Sequence, residues 1–143
     1  MKTVMLIDGL NMFIRSYIVN PTLDKHGNPI GGCIGFLKSL QKITNKFSPD
    51  EIVVCWDGHG GSQKRKQLNK EYKKGRAPIR FNRRLIELPP EKQEENKAYQ
   101  LLRLMEYLNE MPIIQMVVDF VEADDVIAFG ARHPYYDGYR KII

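Results

Sequence analysis

Thr3-Val4-Met5-Leu6-Ile7-Asp8-Gly9 is a short apolar run that ends on an acid, and its reading decides the fold. A continuous apolar run of this length suits a strand buried on both faces, as parallel strands are when helices cover the sheet on either side. The pattern recurs twice. Val53-Val54-Cys55-Trp56 leads into Asp57-Gly58, and Ile113 to Val118 is followed by Glu122-Ala123-Asp124-Asp125. Parallel strands point the same way, so acids just beyond them collect along one edge of the sheet, where open α/β proteins place their ligands. Asp8, Asp57, Glu122, Asp124 and Asp125 are therefore expected on a common rim. Carboxylates so gathered repel one another unless a cation sits among them, and an all-oxygen donor set suits Mg²⁺ or Mn²⁺.

Helical patterns separate the runs. Leu10 to Ile18 reads as a helix, and Asn20-Pro21, Gly27 and Asn28-Pro29 mark a loop. From Gly32 to Phe47, Cys33, Phe36, Leu37, Leu40, Ile43 and Phe47 recur at helical spacing. Glu91 to Glu110 predicts a long helix with Ala98, Leu101, Leu102, Met105 and Leu108 on one face, closed by Pro112. Ala123 to Ala131 is a further helix and Tyr139 to Ile143 a fourth strand. Gly58-His59-Gly60-Gly61 reads as a flexible turn, suited to a hinge or to close approach of a ligand. This alternation predicts an α/β fold of three layers, a central, mostly parallel sheet flanked by helices.

With 143 residues, 43% hydrophobic and 27% charged, the chain is expected to form one domain, residues 1–143. No apolar stretch reaches the roughly 20 residues of a membrane helix, and the first run meets Asp8 before a signal-peptide core develops. A cytoplasmic protein without a membrane partner is expected. Cys33 and Cys55 fall in helix and strand patterns and are expected as reduced, buried thiols. His26, His59 and His133 lack ligand spacing, which argues against zinc.

The net charge of +5 is unevenly spread. Lys64, Arg65, Lys66, Lys70, Lys73, Lys74, Arg76, Arg80, Arg83 and Arg84 face Glu71 alone between Ser62 and Arg84, so that ten cations and one acid give +9 and leave −4 elsewhere. Gln63 to Lys74 has good helix propensity. Such a segment on an acidic body fits an arm for a polyanion. Unbalanced repulsion weighs against the alternative, a merely solvated helix face. Tyr72 and Phe81, interleaved with the cations, are suited to stacking on unpaired bases.

Cations that meet phosphate and acids that hold divalent ions together suit phosphodiester hydrolysis, in which a metal pair acidifies water and neutralises charge growing on phosphorus. Each station also has an ordinary reading. Acids in a first helical turn are common caps, and an Asp at a strand end is a common turn residue. Their convergence is what favours a metal site.

These pieces resemble the 5′ nucleases, the family of flap endonucleases, the 5′ exonuclease domains of bacterial polymerases, and phage 5′ exonucleases and ribonucleases H. The resemblance rests on Leu6-Ile7-Asp8-Gly9-Leu10-Asn11, Gly31-Gly32-Cys33-Ile34-Gly35-Phe36, Val53-Val54-Cys55-Trp56-Asp57-Gly58, the Lys64-Arg65-Lys66 to Tyr72-Lys73-Lys74-Gly75-Arg76 run, and Val121-Glu122-Ala123-Asp124-Asp125. It implies a PIN-like fold with a basic helical arch over residues 62–90. It implies that Asp8, Asp57, Glu122, Asp124 and Asp125 bind metal, two ions in the complete domain. Lys73 and Arg76 would reach the scissile phosphate, with Tyr72 beside them and Arg15 as a further phosphate contact. Substrates would be DNA with a 5′ end or flap, or RNA–DNA hybrids, in a bacterial or phage-infected cell. The family continues into a Ser-Ser-Asp-x-Asp-like motif and a duplex-gripping region. The chain accordingly reads as the front half of a nuclease domain, completed by further sequence or a second polypeptide.

Two other readings stay open, a non-catalytic nucleic-acid-binding module and a PIN-type ribonuclease. Leu10 argues against a haloacid-dehalogenase-type phosphatase, because it stands where that family's second Asp would be.

Overall fold

The computed structural model describes residues 1–61 and 88–143. Within them the order is β1 (Thr3–Asp8), α1 (Gly9–Val19), α2 (Gly31–Phe47), β2 (Glu51–Trp56), α3 (Pro90–Asn109), β3 (Ile114–Val117), α4 (Ala123–Arg132), a 3₁₀ turn (Pro134–Tyr136) and β4 (Arg140–Ile142). These strands form a sheet in the order β3-β2-β1-β4, with β1 parallel to β2 and β4, and β2 parallel to β3. The expected α/β class with a parallel sheet is thus observed. The expected basic helix from Gln63 to Lys74, the ten cations from Lys64 to Arg84, and Tyr72 and Phe81 lie outside the described residues.

The chain divides into two compact units, the first containing the sheet and α4, the second α1 from Asn11 onward with α2 and α3. In the first, Val4 and Leu6 of β1 and Val53 and Cys55 of β2 form one cluster with Ala123, Val126, Ile127 and Tyr136. The alternate residues Met5, Ile7, Val54 and Trp56 are buried as well. Neither central strand has a solvent face, which is why their sequences show no polar alternation. The β1–β2 register runs from Val4 opposite Glu51 to Asp8 opposite Cys55. It is fixed at its start by a reciprocal pair: Thr3 N donates to Asp50 Oδ2 at 2.7 Å, and Asp50 N donates to Thr3 O at 2.8 Å.

At that same end of the sheet, Glu51 accepts hydrogen bonds from the hydroxyls of Tyr139 (3.0 Å), Tyr136 (3.3 Å) and Tyr135 (3.4 Å). Burial first, and then the Glu51 charge, push the Tyr136 hydroxyl up to about 12. The third apolar run departs from expectation. It yields a four-residue edge strand whose Ile114 and Val117 are 47% and 61% exposed, because β3 has only β2 as a neighbour.

In the second unit α2 packs on α3. The face of α3 expected from Ala98, Leu101, Leu102, Met105 and Leu108 is corrected. The buried residues are Gln93, Gln100, Leu104 and Leu108, while Ala98 is exposed and Leu102 is 61% exposed. Gln100 sets this rotation. Its Oε1 accepts from Cys33 N at 3.0 Å, and its Nε2 donates to Asn96 Oδ1 at 2.7 Å. Ile30, the residue before α2, offers no side-chain cap, so Gln100 satisfies a first-turn amide that α2 cannot satisfy itself. A methyl group at Gly32 would lie 2.6 Å from the Phe13 ring and 3.0 Å from Gln100 Oε1, so this approach requires glycine. Both cysteines are buried free thiols, as expected.

Replacing Gln100 with Leu leaves the buried Cys33 amide without an acceptor, at a cost of about 1–3 kcal/mol. A urea titration should show a lower midpoint with an unchanged slope; an unchanged midpoint would contradict the capping role.

Candidate functional site

Asp8 closes β1 directly beside Cys55. The Cys55 thiol is pushed up to about 11, chiefly by burial and secondarily by the Asp8 charge. It is therefore a protonated core group at neutral pH, with no nucleophilic role. Asp57 follows β2, two residues beyond Cys55, and is exposed. Its Oδ1 accepts a hydrogen bond from Ala123 N at 2.7 Å.

That bond joins two of the three acidic stations. Ala123 is the first residue of α4, and the preceding Glu122, extended at φ −74° and ψ 154°, makes no side-chain cap of its own. Ordinary helix capping is thus done here by Asp57 from the end of β2, leaving Glu122 without that duty. Glu122 is only 3% exposed. Asp124 and Asp125 are exposed in the first turn of α4, where the helix dipole favours negative charge. Helix α4 packs across β1, β2 and β3.

The turn Gly58-His59-Gly60-Gly61, expected to be flexible as a hinge or for close approach of a ligand, is instead stitched to the approach to α4. Gly58 N donates to Val121 O at 2.9 Å and Phe120 N donates to His59 O at 2.8 Å. A methyl group at Gly58 would fall 1.8 Å from Val118 O. Phe120 is held at φ 63°, a left-handed conformation that bulky residues avoid.

Among the described residues, no group of three or more His, Cys, Asp and Glu side chains is drawn together so as to hold a metal ion. The carboxylates nevertheless fit a hard divalent ion by donor chemistry, since all offer oxygen and α4 supplies two from one turn. Mg²⁺ keeps several of its waters and takes few direct protein ligands, so it does not need a closed cage. Arg15 is exposed on α1, in the second unit. Lys73 and Arg76, with Lys64, Arg65, Lys66, Lys70, Tyr72, Lys74, Arg80, Arg83 and Arg84, lie outside the described residues. Sequence reasoning missed the Asp57–Ala123 bond and the stitched turn. Gly58 was their one visible trace.

Comparison with known proteins adds to this geometry. The family described as 5′-3′ exonuclease, N-terminal resolvase-like domain, matches residues 3–143. A flap endonuclease Xni of Shewanella woodyi is 31% identical over 129 residues, covering 90% of this chain and 43% of the relative. A thermostable DNA polymerase I of Thermus thermophilus is 30% identical, with 95% of this chain and 15% of the polymerase covered. The chain thus spans less than half the length of these relatives. Among solved structures, the phage T5 5′-exonuclease with bound zinc ions superimposes with a TM-score of 0.60 at 20% identity, covering 90% of this chain and 43% of that one. A T5 flap endonuclease in complex with DNA and metal ions gives 0.56 at 16% identity over the same shares. These two likenesses are of fold. Among the described residues no helix is long and apolar enough to cross a membrane.

The proximity of Asp8 to Cys55 is directly testable. Removing the carboxylate charge with Asp8→Asn should lower the Cys55 pKa, since that charge disfavours the thiolate. The ¹³Cβ chemical shift of Cys55 followed against pH reads the change, and an unchanged or raised pKa would contradict the placement.

Proposed function

Because this chain belongs to the 5′-3′ exonuclease family through its N-terminal resolvase-like domain, we propose that it carries metal-binding acids and a phosphate-gripping arm of a structure-specific 5′ nuclease. The observation that carries this reading is the 2.7 Å bond from Ala123 N to Asp57 Oδ1. It ties the acid after β2 to the acidic first turn of α4, while β1 brings Asp8 alongside β2.

In this reading Asp8, Asp57, Glu122, Asp124 and Asp125 hold Mg²⁺ or Mn²⁺, directly or through water. When bound, a divalent ion pair lowers the pKa of the attacking water and neutralises charge on the phosphoryl oxygens. The chain's own residues supply the rest. Lys73 and Arg76 bind the scissile phosphate and hold it in place as its negative charge grows. The cations Lys64, Arg65, Lys66, Lys70, Lys74, Arg80, Arg83 and Arg84 grip the backbone of a strand with a free 5′ end, Arg15 adds a phosphate contact, and Tyr72 stacks on an unpaired base. Residues 62–90 then serve as the arch. The substrate is DNA with a 5′ end or flap, and an RNA–DNA hybrid offers the same phosphate chemistry.

Joined to the remainder of a 5′ nuclease domain, the chain with Mg²⁺ should cut 5′-flap DNA, and Asp8→Asn or Asp124→Asn should abolish cutting. Binding without cutting by that completed protein, unaffected by either change, would instead support a non-catalytic binding module. Combined Lys73→Ala and Arg76→Ala should lower the cleavage rate far more than metal affinity, and equal loss of both would contradict their assignment.

A further inference from the structure

We infer that the main chain of Gly58 and His59, locked against Val118–Val121, is the positioning element that sets the acids of α4 against Asp57. This deepens the metal-binding reading above and rests on it.

Several constraints meet in this turn. Gly58 N donates to Val121 O at 2.9 Å, and His59 O accepts from Phe120 N at 2.8 Å. Two internal bonds tighten the two sides, from Gly61 N to Gly58 O at 3.0 Å and from Val121 N to Val118 O at 3.1 Å. Asp57 Oδ1 then receives Ala123 N at 2.7 Å. Residues 57–61 and 118–123 are therefore fastened at successive points, in both directions, immediately before Asp124 and Asp125.

The packing leaves no slack. A Cβ at Gly58 would stand 1.8 Å from Val118 O, 2.6 Å from its carbonyl carbon and 3.0 Å from Asp119 Cα, and all of these are backbone atoms. A Cβ at Gly61 would stand 2.9 Å from Val121 O. The conformation on the other side is unfavourable in isolation: Phe120 is held at φ 63° and its side chain is 50% exposed. A bulky residue persists there only when its surroundings impose it. Its amide bond to His59 O is such an imposition. An exposed side chain with no core to fill places the reason for this conformation in the backbone path, which must turn from edge strand β3 into α4 with Glu122 buried at the bend.

These residues touch no substrate, so their role is positioning. It is tested by native-state amide exchange of the metal-free chain together with Mn²⁺ titration. Gly58→Ala should speed exchange at the Phe120 and Ala123 amides while sparing those of β1. It should weaken Mn²⁺ affinity by about tenfold or more, the scale at which losing a support for metal ligands is felt. Should Gly58→Ala fail to fold, Gly61→Ala makes the same test through a smaller perturbation, crowding the turn against Val121 O. Unchanged exchange at both amides in a folded Gly58→Ala chain would overturn the inference. Unchanged Mn²⁺ affinity in a variant whose amides had opened would also overturn it, while leaving metal binding itself intact. No Mn²⁺ uptake by the unaltered chain would defeat the metal reading and this inference with it.

Discussion

The hydrogen bond from Ala123 N to Asp57 Oδ1 is the constraint on which the acidic rim depends. A helix leaves its first amides without internal partners, and the usual remedy is a short polar side chain at its own N-cap. Helix α4 begins with Glu122, which gives no such bond, so the acceptor comes from the far end of another element. Bonds of this kind to a carboxylate are stronger than neutral ones. The same device recurs in the second unit, where Gln100 serves the first turn of α2 from within α3. In both places a deficiency of local capping is turned into a tertiary tie, so that helix position and helix stability become one quantity.

Much of the fold could be read from residue order. β1 and β2 announce themselves because burial on both faces demands unbroken apolar runs, and Gly31–Phe47 because its apolar residues recur at helical spacing. The buried face of α3 could not, since spacing rules assign leucines inward and glutamines outward. Gln100 goes inside because both ends of its amide are hydrogen-bonded, to Cys33 of α2 and to Asn96 one turn away, which helical spacing of apolar residues does not reveal. For the site, chemical type and strand-end position singled out Asp8, Asp57 and the α4 acids. That Asp57 would spend one oxygen on an amide 66 residues away was invisible, because a hydrogen bond across such a separation leaves no periodic trace. The glycine-rich turn misled for a related reason. Gly58 is small to let Val118 O approach, so here glycine marks close packing rather than freedom.

The charge distribution gives this geometry an electrostatic setting. Ten cations lie between Ser62 and Arg84, while the remainder of the chain is acidic on balance. Acids on a rim at the strand ends would by themselves repel a phosphate backbone. In the proposed function the cations of the same chain would offset that repulsion, with a balance sensitive to ionic strength because exposed charges are screened within about 10 Å at 0.1 M salt.

The three tyrosines converging on Glu51 lie at the end of the sheet away from Asp8 and Asp57. β4 pairs with β1 over only three residues, Thr3 with Arg140 through Met5 with Ile142, and the phenolic anchors add to this short ladder. Local opening follows the weakest cooperative unit. On warming, unravelling would start at this phenol-bound margin and travel inward, so that β4 is shed while β1, β2 and α4 keep their mutual register.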